Sequence, residues 1–222
     1  MGGWGNSKVK NMSTPNLLFL PGASGSTEFW QPVLGLMPAD YRCTVQAYPG
    51  FGNETVLPSV NSMAELSDWV IEQLNQPTVL VAQSMGGIIA IQAALRKPDC
   101  VQALVLVATS GGLDVLTYGA ADWRTDYMLE MKHLPQWFVE TQYDFSPDFS
   151  RIHQPVLLLW GDADPISPVA VGKALQAQLP DARLEIIHNG GHDFAYQYAA
   201  QVASQIERFI SSFSLKRPSE TF

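Results

Sequence analysis

Six short apolar runs, at residues 17–20, 44–47, 78–82, 104–108, 156–160 and 184–187, alternate with stretches whose apolar residues recur at helical spacing. Strands buried on both faces read as unbroken apolar runs, and parallel neighbours need a long crossover between them. The alternation is therefore the pattern of an α/β domain: a mostly parallel sheet of about six strands with helices on both faces. The helical stretches are 64–74, with Leu66, Trp69, Val70 and Leu74 on one face, and 86–95, rich in Ile and Ala. Two more are 169–179, after a Ser-Pro start, and 199–213, where Val202, Ile206, Phe209 and Phe213 share a face.

One segment interrupts the pattern. Residues 110–150 fall between the fourth and fifth runs and hold eight aromatic residues. A structureless loop of that length is unusual inside a compact domain, so short helices are expected there. The segment is too short to own a core and reads as a lid inserted into one domain spanning 16–213. Residues 1–15, rich in Gly, Asn and Ser, are expected to be a flexible extension, with Met12 a candidate natural start. Residues 214–222 form a tail.

The net charge of -8 disfavours nucleic acid as a partner, since no Lys/Arg cluster offsets it. No apolar run is long enough to span a membrane, and the N-terminus lacks the apolar core of a signal peptide. A cytoplasmic location is expected. Cys43 and Cys100 lie in no metal-ligand or C-x-x-C spacing and read as small buried or half-buried thiols. The sequence leaves the oligomeric state open.

The chemistry concentrates where the third run ends. After Ala82 come Gln83, Ser84, Met85, Gly86 and Gly87, leading straight into the 86–95 helix. A serine between a strand and a helix, with small residues two positions away on each side, can sit on a tight turn that raises its hydroxyl above the sheet. The helix N-terminus beneath favours negative charge developing on a reacting oxygen. The bland alternative is a serine N-cap.

A serine nucleophile needs a base, and the base needs an orienting carboxylate. His192, preceded by Gly190 and Gly191, follows the last run; Asp162 and Asp164 follow the fifth. Ser, Asp and His thus leave three strands in that order, at the edge where parallel sheets place their sites. The loop Pro21, Gly22, Ala23, Ser24, Gly25, Ser26 after the first run supplies backbone N–H groups. Donors to an oxyanion are expected from Ala23 and from Met85, the residue after the nucleophile. His188 and His192 lie four apart but on a strand end and a Gly-Gly turn, which is no metal pair. His133 and His153 read as surface residues.

These motifs resemble the α/β-hydrolase superfamily over about residues 16–213. The match comprises the 21–26 loop, the Tyr48-Pro49-Gly50-Phe51-Gly52 turn after the second strand, the elbow at Ser84, and the Asp and His loops. The first loop has Pro21 where the family often has His, Ala82 stands for the first glycine of G-x-S-x-G, and the second turn lacks the family's acid and serine. The family's acid typically lies three residues after a glycine, which implies Asp164 as the orienter, with Asp162 the runner-up. The family's initial antiparallel hairpin is expected to be absent, and the cap reduced.

The expected function is that of a serine hydrolase cleaving a carboxylic ester of a small apolar acyl substrate through an acyl-enzyme on Ser84. The catalytic set is Ser84, Asp164 and His192, and no metal or organic cofactor is implied. The same parts would serve a thioesterase, amidase, C–C hydrolase or lyase, and a small-molecule receptor on the same scaffold is the non-enzymatic alternative. Trp123, Tyr127, Trp137 and Phe138 in the 110–150 segment either wall the acyl pocket or pack that segment onto the core.

Overall fold

The computed structural model describes residues 14–214, with side chains to residue 212. Most of the expected N-terminal extension, including Met12, the tail beyond residue 214 and the Phe213 side chain lie outside the described residues. In chain order the elements are β1 (Asn16–Leu20), α1 (Gln31–Leu34), β2 (Arg42–Val45), α2 (Met63–Glu72), β3 (Thr78–Gln83) and α3 (Met85–Arg96). There follow β4 (Val101–Val107), α4 (Arg124–Glu130), β5 (Val156–Gly161), α5 (Val169–Gln178), β6 (Ala182–Ile187), α6 (Phe194–Gln197) and α7 (Ala199–Ser214). All six strands are parallel, in the order β2-β1-β3-β4-β5-β6.

Side chains alternate across the sheet as strand geometry requires. Leu80, Ala82, Leu104, Leu106, Leu158 and Trp160 turn to the face covered by α2, α3 and α5. Val79, Val81, Val105, Val107, Leu157 and Leu159 turn to the face covered by α1, α6 and α7. Central strands β3 and β5 are buried at every position, which is why they stand out as apolar runs.

Four strands begin earlier than the apolar runs suggest, β1 by one residue, at Asn16, and β6 by two, at Ala182. β2 starts at Arg42 rather than at residue 44, because it is an edge strand whose side chains alternate between exposed and half-buried positions. β4 starts at Val101 rather than 104: Gln102 breaks the apolar run and is taken up as a bulge, with Thr78 opposite Val101 and Val79 opposite Ala103. Helix α2 likewise starts one residue early, at Met63. Ser62 caps it by accepting from the Glu65 N–H at 3.2 Å, and the Glu65 carboxylate accepts from the Asn61 N–H at 2.8 Å.

The 110–150 segment does hold short helices. They are α4 and 3-10 turns at Val115–Tyr118 and Ser146–Arg151, the last running one residue past 150. Buried Leu113, Phe138, Val139 and Phe149 join it to the core on the α2/α3/α5 face.

This topology fixes where chemistry can occur. From β1 the chain goes to one side to form β2 and to the other to form β3, so the loops at their carboxyl ends diverge and leave a crevice.

Candidate active site

Ser84 occupies the turn from β3 into α3 with φ 51° and ψ -118°, a left-handed backbone that non-glycine residues rarely adopt. Close packing imposes it. A Cβ on Gly86 would stand 2.6 Å from the Pro21 carbonyl oxygen and 2.7 Å from that of Leu20, so α3 can press against the end of β1 only with glycine there. A Cβ on Gly22 would meet the Gln83 side chain in the same way, which lets the 21–26 loop lie directly over the turn. The turn is tied down by hydrogen bonds from Ser84 N–H to the Val107 carbonyl (3.0 Å) and from Thr109 Oγ1 to the Ser84 carbonyl (2.6 Å). Thr109 is fully buried and also accepts from Gly111 N–H at 3.1 Å.

His192 reaches Ser84 from the loop between β6 and α6. Its Nε2 lies 3.1 Å from Ser84 Oγ, and its Nδ1 lies 2.8 Å from Asp164 Oδ2. The Asp164 side chain is 0% exposed, and its other oxygen accepts from the N–H groups of Ile166 (2.8 Å) and Ser167 (3.1 Å). Both oxygens of this buried carboxylate therefore meet donors when Nδ1 carries the proton, leaving Nε2 to accept from the serine hydroxyl.

The other aspartate does something else. Asp162 faces His188, 2.7 Å from its Nδ1, and accepts from Asn189 N–H at 2.6 Å. The His188 hydrogen bond, with help from Asn189 N–H, holds the Asp162 carboxyl below its ordinary pKa. His188 and His192 thus point to separate carboxylates, and no group of three or more possible metal ligands occurs among the described residues. The two acid–histidine pairs sit on loops that touch. Gly161 has no room for a Cβ against the Gly190 carbonyl, and Ala163 N–H donates to that carbonyl at 3.0 Å.

A cleft of about 1300 Å³ opens over Ser84 and His192. Ala23 and Met85 line it beside the serine. Met85 is the first residue of α3, so its N–H is one of those with no carbonyl four residues back to bond. Trp123, Tyr127 and Phe138 also line the cleft. Trp137 does not: its ring packs edge-on against Phe51 and Phe138, with centroids 6.0 Å away in each case. The expectation of Trp137 as a pocket residue is corrected accordingly. Its contact with fully buried Phe51 ties the segment to the 48–52 turn.

Two participants escape a reading of the sequence. Thr109 carries no motif, although the small polar run Thr109, Ser110, Gly111, Gly112 directly after a central strand is a usable signal. The acidity of the cleft is the other. It is lined by Glu28, Asp114, Asp122, Asp126, Glu130, Asp144 and Asp193, against one guanidinium, Arg124, which itself lies 3.3 Å from Asp122.

A parallel sheet carrying a strained serine elbow, with a histidine and a buried acid delivered from later strands, defines the α/β hydrolases. The model of the alpha/beta hydrolase fold matches residues 15–138 and 112–197, and the chain belongs to that family. It is similar to the pimeloyl-[acyl-carrier protein] methyl ester esterase of Aromatoleum aromaticum, at 25% identity over 233 residues covering 82% of this chain and 92% of the relative. It is also similar to the 2-hydroxy-6-oxononadienedioate/2-hydroxy-6-oxononatrienedioate hydrolase of Cupriavidus pinatubonensis, at 25% identity over 242 residues, 86% of this chain and 84% of that one. Among solved structures, the lip1 protein of Acinetobacter baumannii AYE aligns with a TM-score of 0.78 at 22% identity, covering 92% of this chain and 86% of the other. A hydrolase activity goes with this membership. Among the described residues no helix is long and apolar enough to cross a membrane.

Proposed function

We propose that the chain is a serine esterase that cleaves a carboxylic ester through an acyl-enzyme on Ser84. The observation that carries this reading is the relay Ser84–His192–Asp164, with bonds of 3.1 and 2.8 Å, opening onto the cleft. Ser84 Oγ attacks the ester carbonyl carbon while its proton passes to His192 Nε2. The carbonyl π electrons move onto oxygen, which the N–H groups of Ala23 and Met85 receive. The tetrahedral species then collapses, the alkoxide leaves with the proton from His192, and an acyl-serine remains. Water, deprotonated by His192, repeats the sequence and frees the acid. Asp164 stays ionised, holds the ring's tautomer and stabilises the imidazolium.

Charge supports a neutral ester as substrate over a dianionic C–C substrate of the kind named for the Cupriavidus relative. Seven carboxylates around the cleft repel a dicarboxylate, and the one arginine is already paired. Trp123, Tyr127 and Phe138 offer an apolar wall for the acyl chain.

Labelling with a fluorophosphonate tests the reading. Wild type is expected to carry the adduct on Ser84 and to hydrolyse p-nitrophenyl acetate; Ser84→Ala is expected to do neither. An adduct on another serine, or an active alanine variant, overturns it.

A further inference from the structure

The peptide between Ser84 and Met85 has the Ser84 carbonyl at one end and the Met85 N–H at the other. In a trans peptide these groups point in opposite directions, so whatever holds the carbonyl also aims the N–H. The Gly87 N–H reaches this carbonyl at 3.0 Å from within the first turn of α3, as the start of a helix provides unaided. The Thr109 hydroxyl reaches the same oxygen at 2.6 Å, from 25 positions along the chain.

The surroundings are built to deliver that hydroxyl. Ala108, just past the end of β4, has φ 45°, a left-handed backbone that alanine rarely adopts. Such strain persists only where neighbouring structure enforces it. Gly87 leaves the space that Thr109 fills, since a Cβ there would overlap the threonine side chain. Thr109 Oγ1 accepts from Gly111 N–H at 3.1 Å, which leaves its one proton for the Ser84 carbonyl. The Thr109 carbonyl accepts from Ser167 Oγ at 3.3 Å; Ser167 in turn accepts from Trp160 Nε1 at 3.1 Å and donates its N–H to Asp164 at 3.1 Å. Thr109, Ser167 and Trp160 are all buried. In such low-dielectric surroundings hydrogen bonds in series polarise one another, by roughly 10–30% per bond. A second donor on the Ser84 carbonyl draws charge toward its oxygen and leaves the N–H of the same peptide a stronger donor.

We infer that Thr109 is a positioning residue for the oxyanion: through the Ser84 carbonyl, its hydroxyl aims and polarises the Met85 N–H that receives the developing charge. The benefit falls on the transition state, because the carbonyl of a bound ester carries far less charge than the tetrahedral oxyanion. The inference rests on the serine-esterase reading.

Thr109→Ala removes hydroxyl and methyl, and Thr109→Ser removes the methyl alone, so the difference between them isolates the hydroxyl. Circular dichroism verifies the fold, and fluorophosphonate titration counts active sites. Loss of a whole oxyanion donor costs a factor of about 10^2–10^3 in kcat. A donor weakened by roughly 10–30% predicts p-nitrophenyl acetate kcat about two- to eightfold lower in Thr109→Ala than in Thr109→Ser. KM should agree within about twofold, since acylation and deacylation both pass through an oxyanion. Affinity for a trifluoromethyl ketone, whose adduct presents an oxyanion, should fall by the same factor as kcat/KM, and the pH profile set by His192 should not move. Thr109→Cys, a weaker donor, is expected between the two and replaces the alanine variant if that one does not fold. Equal kcat in the serine variant and its non-donating or weakly donating counterpart overturns the inference. So does a loss of kcat without loss of ketone affinity, or with a shifted pH profile, which would put the fault in the triad. Ser84→Ala, measured alongside, separates the two levels. If it is active the serine-esterase reading fails; if it is inactive while Thr109→Ala matches Thr109→Ser, the inference about Thr109 alone fails.

Discussion

His192 Nε2 stands 3.1 Å from Ser84 Oγ although 108 positions separate the two residues. The serine holds its end of this contact with a backbone at φ 51°, which costs about 1–3 kcal/mol for a residue with a Cβ. Ser84→Gly should therefore be inactive yet more stable than Ser84→Ala by about 1 kcal/mol, part of the strain relief being offset by glycine's greater unfolded entropy. Urea unfolding of the two variants measures the difference. Equal midpoints would mean that the turn stores no strain.

Asp164 and Asp162 should separate cleanly in kinetics and in stability. Asp164→Asn is expected to lower kcat by a factor on the order of 10^4, because an amide favours the wrong histidine tautomer. Asp162→Asn leaves the Asp164–His192 bond in place and should cost far less activity. Its effect is on acid stability. The native carboxyl lies below its ordinary value of 3.8, so its stabilisation is complete above that pH and fades as pH falls through the lower folded value. Urea midpoints of wild type and Asp162→Asn should differ at pH 6 and converge toward pH 2. A difference that persists undiminished at pH 2 would mean the effect is not ionic.

Trp123 lines the cleft and Trp137 packs on Phe51, so truncating them should have different consequences. Trp123→Ala should shift chain-length preference among p-nitrophenyl esters, by about 1–3 kcal/mol per methylene accommodated, with acetate still hydrolysed. Trp137→Ala should lower the melting temperature and leave the preference unchanged. The reverse pattern would place the acyl wall on the wrong side of the cleft.

The acidic cleft should sort substrates by charge. Among esters matched in size, a carboxylate on the acyl chain should reduce kcat/KM relative to a neutral end. The reduction should shrink between low salt and about 0.5 M NaCl, as screening shortens the reach of the exposed carboxylates. A salt-independent ratio would exclude the field as its cause.

The fold and the order of the chemical groups were legible in the sequence because both are local. β3 and β5 announce themselves by apolar runs, since both are buried throughout and only their ends carry polar residues or glycine. The elbow at Ser84 is legible because close approach of α3 to β1 demands Gly86. The start of the edge strand β2 is displaced by two residues because exposed Arg42 carries no apolar signal. Two aspartates two positions apart are chemically equivalent in a sequence. Only the tertiary structure sends Asp164 to His192 and Asp162 to His188, through loops whose contact at Gly161 and Gly190 no spacing encodes. The same holds for the aromatic residues. Composition shows that rings gather between residues 110 and 150, whereas the division of Trp123 and Tyr127 to the cleft and Trp137 to Phe51 depends on how that segment packs. Packing is a property of surfaces brought together from distant parts of the chain, and a sequence records those surfaces only one residue at a time.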